Sequence, residues 1–108
     1  MNTLGDLIRA HRQAKNLLIR QVAAELGIDP SLLSRIERGN KKPTREQVVH
    51  LSEILEADKD QLLATYLSGK VVSILRDEAS ALEAIVLARQ QLSEPIAVGL
   101  YQPQQAVQ

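Results

Sequence analysis

The sequence predicts an all-α fold, a compact bundle of short helices followed by one longer amphipathic helix. Three observations predict it. Apolar residues recur at three-and-four spacing along most of the chain. Residues suited to helix caps and stops fall between those periodic stretches. No strand pattern survives once the helices are assigned.

Each element can be justified in order from the residues. Thr3 caps a first helix, with Asp6 at the third helical position, where the positive end of the helix dipole favours a carboxylate. Leu4, Leu7 and Ile8 form its apolar face, and it runs to about Lys15, where Asn16 stops it. A second helix covers Ile19 to Leu26 with Val22, Ala23 and Leu26 on one face. Gly27 ends it, suited to the left-handed backbone of many helix termini. Asp29-Pro30 opens a third helix: proline fits the first helical position and pushes its predecessor into the extended region a cap needs. Leu33 and Ile36 point inward, and Gly39 is the stop. Thr44 to Gln47 reads as a capping box for a fourth helix, Arg45 to about Leu55. Asp58 and Gln61 start a fifth, ending near Leu67. Ser68-Gly69 is expected to break the chain, and a sixth helix to run from about Lys70 to Leu92. Pro95, Gly99 and Pro103 exclude helix beyond. The expected organisation is a domain over residues 1–67, a helical segment over 68–92, and a mobile or docking tail over 93–108.

Composition narrows the class. Hydrophobic residues are 44% of the chain, enough for a core, yet Phe and Trp are absent and Tyr66 and Tyr101 are the only aromatics. The core must therefore be aliphatic. Cysteine is absent, which excludes disulfides and thiolate metal sites. Asp6, Arg9, His11 and Arg12 interrupt any leader-like apolar run, and no stretch approaches the roughly 18 apolar residues of a membrane span. These features predict a soluble cytoplasmic protein without membrane contact. Net charge is zero, but residues 1–50 carry nine Lys or Arg against five acids, a balance of +4, and residues 51–108 a balance of −4. A basic half can face phosphates while the acidic half faces away; the same split also suits ordinary solvated faces.

The informative segment is IRQVAAELGIDPSLLSRIERG. Two short helices are joined by a tight turn at Gly27. Small Ala23 lets the helices cross closely, and Ile28 and Leu33 anchor the second against the first. This geometry projects the start of the second helix outward, and an α-helix fits a major groove about 12 Å wide. Neither His11 nor His50 has partners at metal-ligand spacing. No nucleophile–base pair and no Gly-rich phosphate loop occurs, so neither enzyme activity, metal nor cofactor is expected. Scarce aromatics argue against single-stranded RNA. His11 reads as a half-buried packing residue and His50 as solvent-facing.

The stretch VAAELGIDPSLLSRIERGNKKPT resembles the Xre/Cro family of phage and bacterial repressors, over about Leu4 to Leu63. The order of elements also resembles small regulators found beside DNA methyltransferases or restriction systems. The resemblance implies a five-helix repressor-type helix-turn-helix domain whose third helix reads bases. Pro30, Ser31, Ser34 and Arg35 match the groove-facing positions. Arg35 is the leading base reader, because its fork can pair with guanine through two hydrogen bonds. Leu32 is either a rim contact or a packing residue. Arg38, Asn40, Lys41 and Lys42 match the phosphate-contacting segment. Ile19 departs from the family, which commonly has a backbone-contacting Gln there; either Arg20 or Gln21 substitutes, or the contact is missing. The family also implies a partly buried ion pair between Arg12 and Glu37.

The long last helix lies outside this resemblance. Val71, Leu75, Leu82, Ile85, Val86 and Leu92 form a 3–4 stripe that needs another surface. Either it folds back on the first and fifth helices or it pairs with a second copy; a homodimer is the favoured reading, since two-fold pairing sets two recognition helices about 34 Å apart on successive major grooves. The expected partners are double-stranded DNA and a second copy, as a repressor on a pseudo-palindromic operator. The alternative is an antitoxin or adaptor that covers a partner protein with this helix and autoregulates its operon.

Overall fold

The computed structural model describes residues 3–94. Within them lie α1 (Leu4–Ala14), α2 (Ile19–Leu26), α3 (Pro30–Glu37), α4 (Arg45–Ile54), α5 (Lys59–Leu75) and α6 (Ala81–Ser93), and no described residue is in a strand. The all-α expectation holds. The tail expected over 93–108 lies outside the described residues from 95 onward. The chain forms two compact units, one through Ile74 and one from Leu75. No described helix is long and apolar enough to cross a membrane.

In the first unit, local chemistry sets the helix starts. The Thr3 hydroxyl accepts from the Asp6 N–H while the Asp6 carboxylate accepts from the Thr3 N–H, a reciprocal cap. Thr44 and Gln47 repeat that exchange at α4. Asp29 caps α3 by accepting from the Ser31 N–H at 2.8 Å, with Pro30 behind it. At α2 the cap residue is Leu18, which has no polar side chain; the Gln21 side-chain carbonyl accepts from the Leu18 N–H instead. Asn16 takes φ 56° after α1 and Gly27 takes φ 76° after α2, both left-handed as a sharp stop requires.

The core is aliphatic. Ile8, Val22, Ala23, Leu26, Leu33, Ile36, Leu51 and Leu55 form one buried cluster from α1, α2, α3 and the end of α4. Leu62 of α5 and Val48 of α4 are also fully buried. α2 packs on both α3 and α4, and α1 packs on α3. The α1–α3 approach depends on Gly5, which no sequence motif flags. A Cβ there would collide with the carbonyl oxygens of Ile36 and Glu37.

The expected break at Ser68-Gly69 does not occur. α5 continues to Leu75, and the sixth helix begins at Ala81 instead of Lys70. Helix propensity is a weak preference, and one glycine costs a helix only about 1 kcal/mol. Here the Ser68 hydroxyl donates to the Thr65 carbonyl one turn back, so Ser68 caps nothing. The interruption falls later, where Asp77 adopts φ 71° and the Glu78 N–H turns back to the Leu75 carbonyl. Ser80 and Glu83 carry capping-box spacing that could have marked this start, although the Ser80 side chain makes no cap bond.

This shift corrects the apolar stripe. Val71 and Leu75 lie on α5, whereas Leu82, Ile85 and Val86 lie on α6, so they do not share one continuous helix face. Within the second unit α6 buries none of its residues; Leu82 is 78% exposed and Leu92 86%.

Candidate nucleic-acid interface

The candidate recognition element, α3, is built from the inside outward. Leu33 and Ile36 of α3 are buried against the core, and this fixes the rotation of the helix. The opposite face then carries Pro30, Ser31 and Arg35 in the open, with Ser34 half-buried. Leu32 is half-buried against the core, which decides its two readings in favour of packing.

The polar groups on this face are partly committed. Asp29 Oδ1 accepts from both the Ser31 N–H, at 2.8 Å, and the Ser31 hydroxyl, at 2.7 Å. These bonds, the hydroxyl's first, hold the Asp29 carboxyl below its ordinary value of 3.8. With its proton given to Asp29, the Ser31 hydroxyl presents only lone pairs outward. It suits a base donor such as an adenine or cytosine amino group.

Cationic and amide side chains stand at the start of α2 and beyond the end of α3. Arg20 and Gln21 are exposed at the start of α2, and Arg38, Asn40, Lys41 and Lys42 are exposed beyond the end of α3. Gln21 has its carbonyl engaged by Leu18, which leaves its amide N–H groups for an outside acceptor. Arg38 Nε donates to the Ser34 carbonyl at 3.3 Å, and Lys42 Nζ donates to Ser73 Oγ. Among the described residues the ion pairs are Arg12–Glu37 and Lys15–Glu56, so none of these surface cations is paired with a described carboxylate.

Beneath the site sits the buried pair. Arg12 Nε donates to Glu37 at 2.7 Å and a second guanidinium nitrogen donates to its other oxygen at 3.0 Å, while the third nitrogen donates to the Leu17 carbonyl at 2.9 Å. The Glu37 hydrogen bonds raise the Arg12 pKa beyond its already high ordinary value. The pair joins α1 to the end of α3 and leaves no buried side-chain polar atom unpartnered among the described residues.

His11 is half-buried and His50 exposed, beside Glu25, Glu53 and Ile54 at an open depression. Among the described residues no group of three or more potential metal ligands occurs.

Comparison with known proteins places this arrangement. A family model described as a helix-turn-helix domain matches residues 3–65. The chain is 37% identical over 60 residues to the HTH-type transcriptional regulator SlrR of Bacillus subtilis (strain 168), covering 55% of this chain and 40% of SlrR. It is 36% identical over 58 residues to YazB of the same organism, an uncharacterised HTH-type transcriptional regulator, covering 54% of this chain and 84% of YazB. A chain in the solved SinR protein/SinI protein complex shares its fold at TM-score 0.52 and 22% identity, covering 94% of this chain and 86% of that one. The chain thus spans less than half of SlrR but most of YazB. With its two-helix unit and its match over more than half its length, the chain belongs to the helix-turn-helix domain family.

Proposed function

We propose that this protein is a sequence-specific double-stranded DNA-binding transcriptional regulator that works as a dimeric repressor on a pseudo-palindromic operator. The observation that carries the reading is the outward face of α3, where Pro30, Ser31 and Arg35 are exposed on a helix whose other side is buried. Arg35 reads a guanine, Ser31 accepts from a base amino group, and Pro30 contributes shape or a thymine-methyl contact. Arg20, Gln21, Arg38, Asn40, Lys41 and Lys42 hold the phosphates on either side and set the register. Dimerisation uses apolar side chains outside the matched domain, including Val71, Leu75, Leu82, Ile85 and Val86. Repression needs no more than occupancy of a promoter.

Selection of bound fragments from a random duplex pool tests the reading. The expected result is one enriched site with half-sites about one helical turn apart. Arg35→Ala should then lose preference at one position per half-site, costing about 1–3 kcal/mol on the enriched site. Equal losses on enriched and random DNA would remove Arg35 from base readout.

A second reading, an adaptor or antitoxin that covers a partner protein, draws on the exposed apolar side chains of α6 and on the SinR/SinI complex. Co-purification with the product of a neighbouring gene, lost on substitution of Leu82, would favour it.

A further inference from the structure

We propose that the DNA-backbone surface continues from the loop after α3 onto the far half of α5, with Lys70 as an added phosphate-binding side chain and Ser73 as the positioning group for Lys42. The inference rests on the DNA-binding reading and extends its footprint.

The starting observation is the hydrogen bond from Lys42 Nζ to Ser73 Oγ, which bridges 31 positions of sequence. It brings the 40–42 loop against α5 beyond the point where the matched domain ends at residue 65. Both residues are exposed, so the contact lies on the surface. The Lys42 ammonium has three donors; Ser73 takes one and aims the group, and two remain for a phosphate. Ordering a long side chain beforehand lowers the entropy lost on binding.

Lys70 stands three residues before Ser73, on the same flank of α5. Its Nζ lies 4.9 Å from the centre of the Tyr66 ring, one further turn back. The half-buried ring faces the ammonium itself, a cation–π contact that orders the side chain of an exposed residue. From Gln61 to Leu75 α5 carries no acidic residue, and Lys70 is its only charge. An anion approaching Lys42 therefore meets a second cation on α5 and no carboxylate on that stretch. Lys41, Lys42 and Lys70 together bracket a path for one strand's backbone.

The test is a salt series of binding to random-sequence duplex by the full chain. Each phosphate contact adds roughly 0.9 to the slope of log affinity against log salt. Lys70→Gln should lower the slope by that amount per bound protomer, about 1.8 for a dimer, leaving about 12-fold less affinity loss between 50 and 200 mM salt. Lys70→Arg keeps both charge and ring contact and should retain the slope. Ser73→Ala should weaken binding two- to threefold (roughly the worth of one pre-ordered side chain) and have no effect when Lys42 is already Gln. An unchanged slope for Lys70→Gln, with Lys41→Gln still lowering it, overturns the extension alone. A halved slope marks loss of a second protomer and also overturns it. Absence of salt-dependent duplex binding by the unsubstituted chain overturns the DNA reading beneath it.

Discussion

The Arg12–Glu37 pair shows how one interaction can hold a site without touching the ligand. Both side chains are nearly covered, and their three hydrogen bonds tie α1, the α1–α2 corner and the end of α3. Removing one partner strands the other as an uncompensated charge, which costs more than the pair itself contributes. Glu37→Ala should therefore destabilise the fold by roughly 2–4 kcal/mol in denaturant melts. Melting unchanged from the parent would refute the structural role. The pair was legible through family resemblance, because two charged residues 25 positions apart carry no local pattern. Gly5 was not legible at all. Its importance comes from two carbonyl oxygens of α3, distant in sequence, that leave no room for a methyl. The outward side of α3 was readable because Leu33 and Ile36 had to face inward. That the Ser31 hydroxyl is spent on Asp29 needed coordinates.

Among the elements, starts were far more legible than continuations. Caps are chemical events within four residues, and Thr3, Asp29, Thr44 and Asp58 all accept the backbone bonds their types suggest. Asp6 and Asp29 are held below their ordinary carboxylate pKa by these caps. A depressed folded value means their contribution is present above the unfolded value and lost as pH falls through the folded one. Melting temperature should thus fall as pH drops below about 4, and Asp29→Asn should flatten part of that fall. If the parent and Asp29→Asn show the same acid dependence, the cap is not the titrating contact. The uninterrupted α5 yields a sharper expectation. Gly69 is helical, and a Cβ there would meet nothing within 4 Å. Gly69→Ala should stabilise the chain by about 0.5–1 kcal/mol, read as a raised melting midpoint. A lowered midpoint would mean that the helix needs the glycine as a hinge.

At the scale of the whole molecule, the exposed apolar side chains of α6 are the surface that the proposed dimer would use. Leu82 is 78% exposed and Ile85 and Val86 about half so, more than scattered surface leucines would account for. Leu82→Asp should yield monomers in sedimentation and sharply weaken operator binding, while leaving the first unit's melting unchanged. A monomer that binds operator as tightly as the parent would remove dimerisation from the mechanism. Periodicity and capping chemistry alone determined that the described chain is helical, where five of the six described helices begin, and which side of α3 is free, because burial and backbone bonding act through neighbours a few residues away. Where α5 stops, how closely α1 meets α3 at Gly5, and the reach of Lys42 to Ser73 were decided only in the folded chain. The last two depend on atoms 30 or so positions apart, and at α5 a weak local signal such as Ser-Gly is outweighed when the surrounding helix has its bonds satisfied.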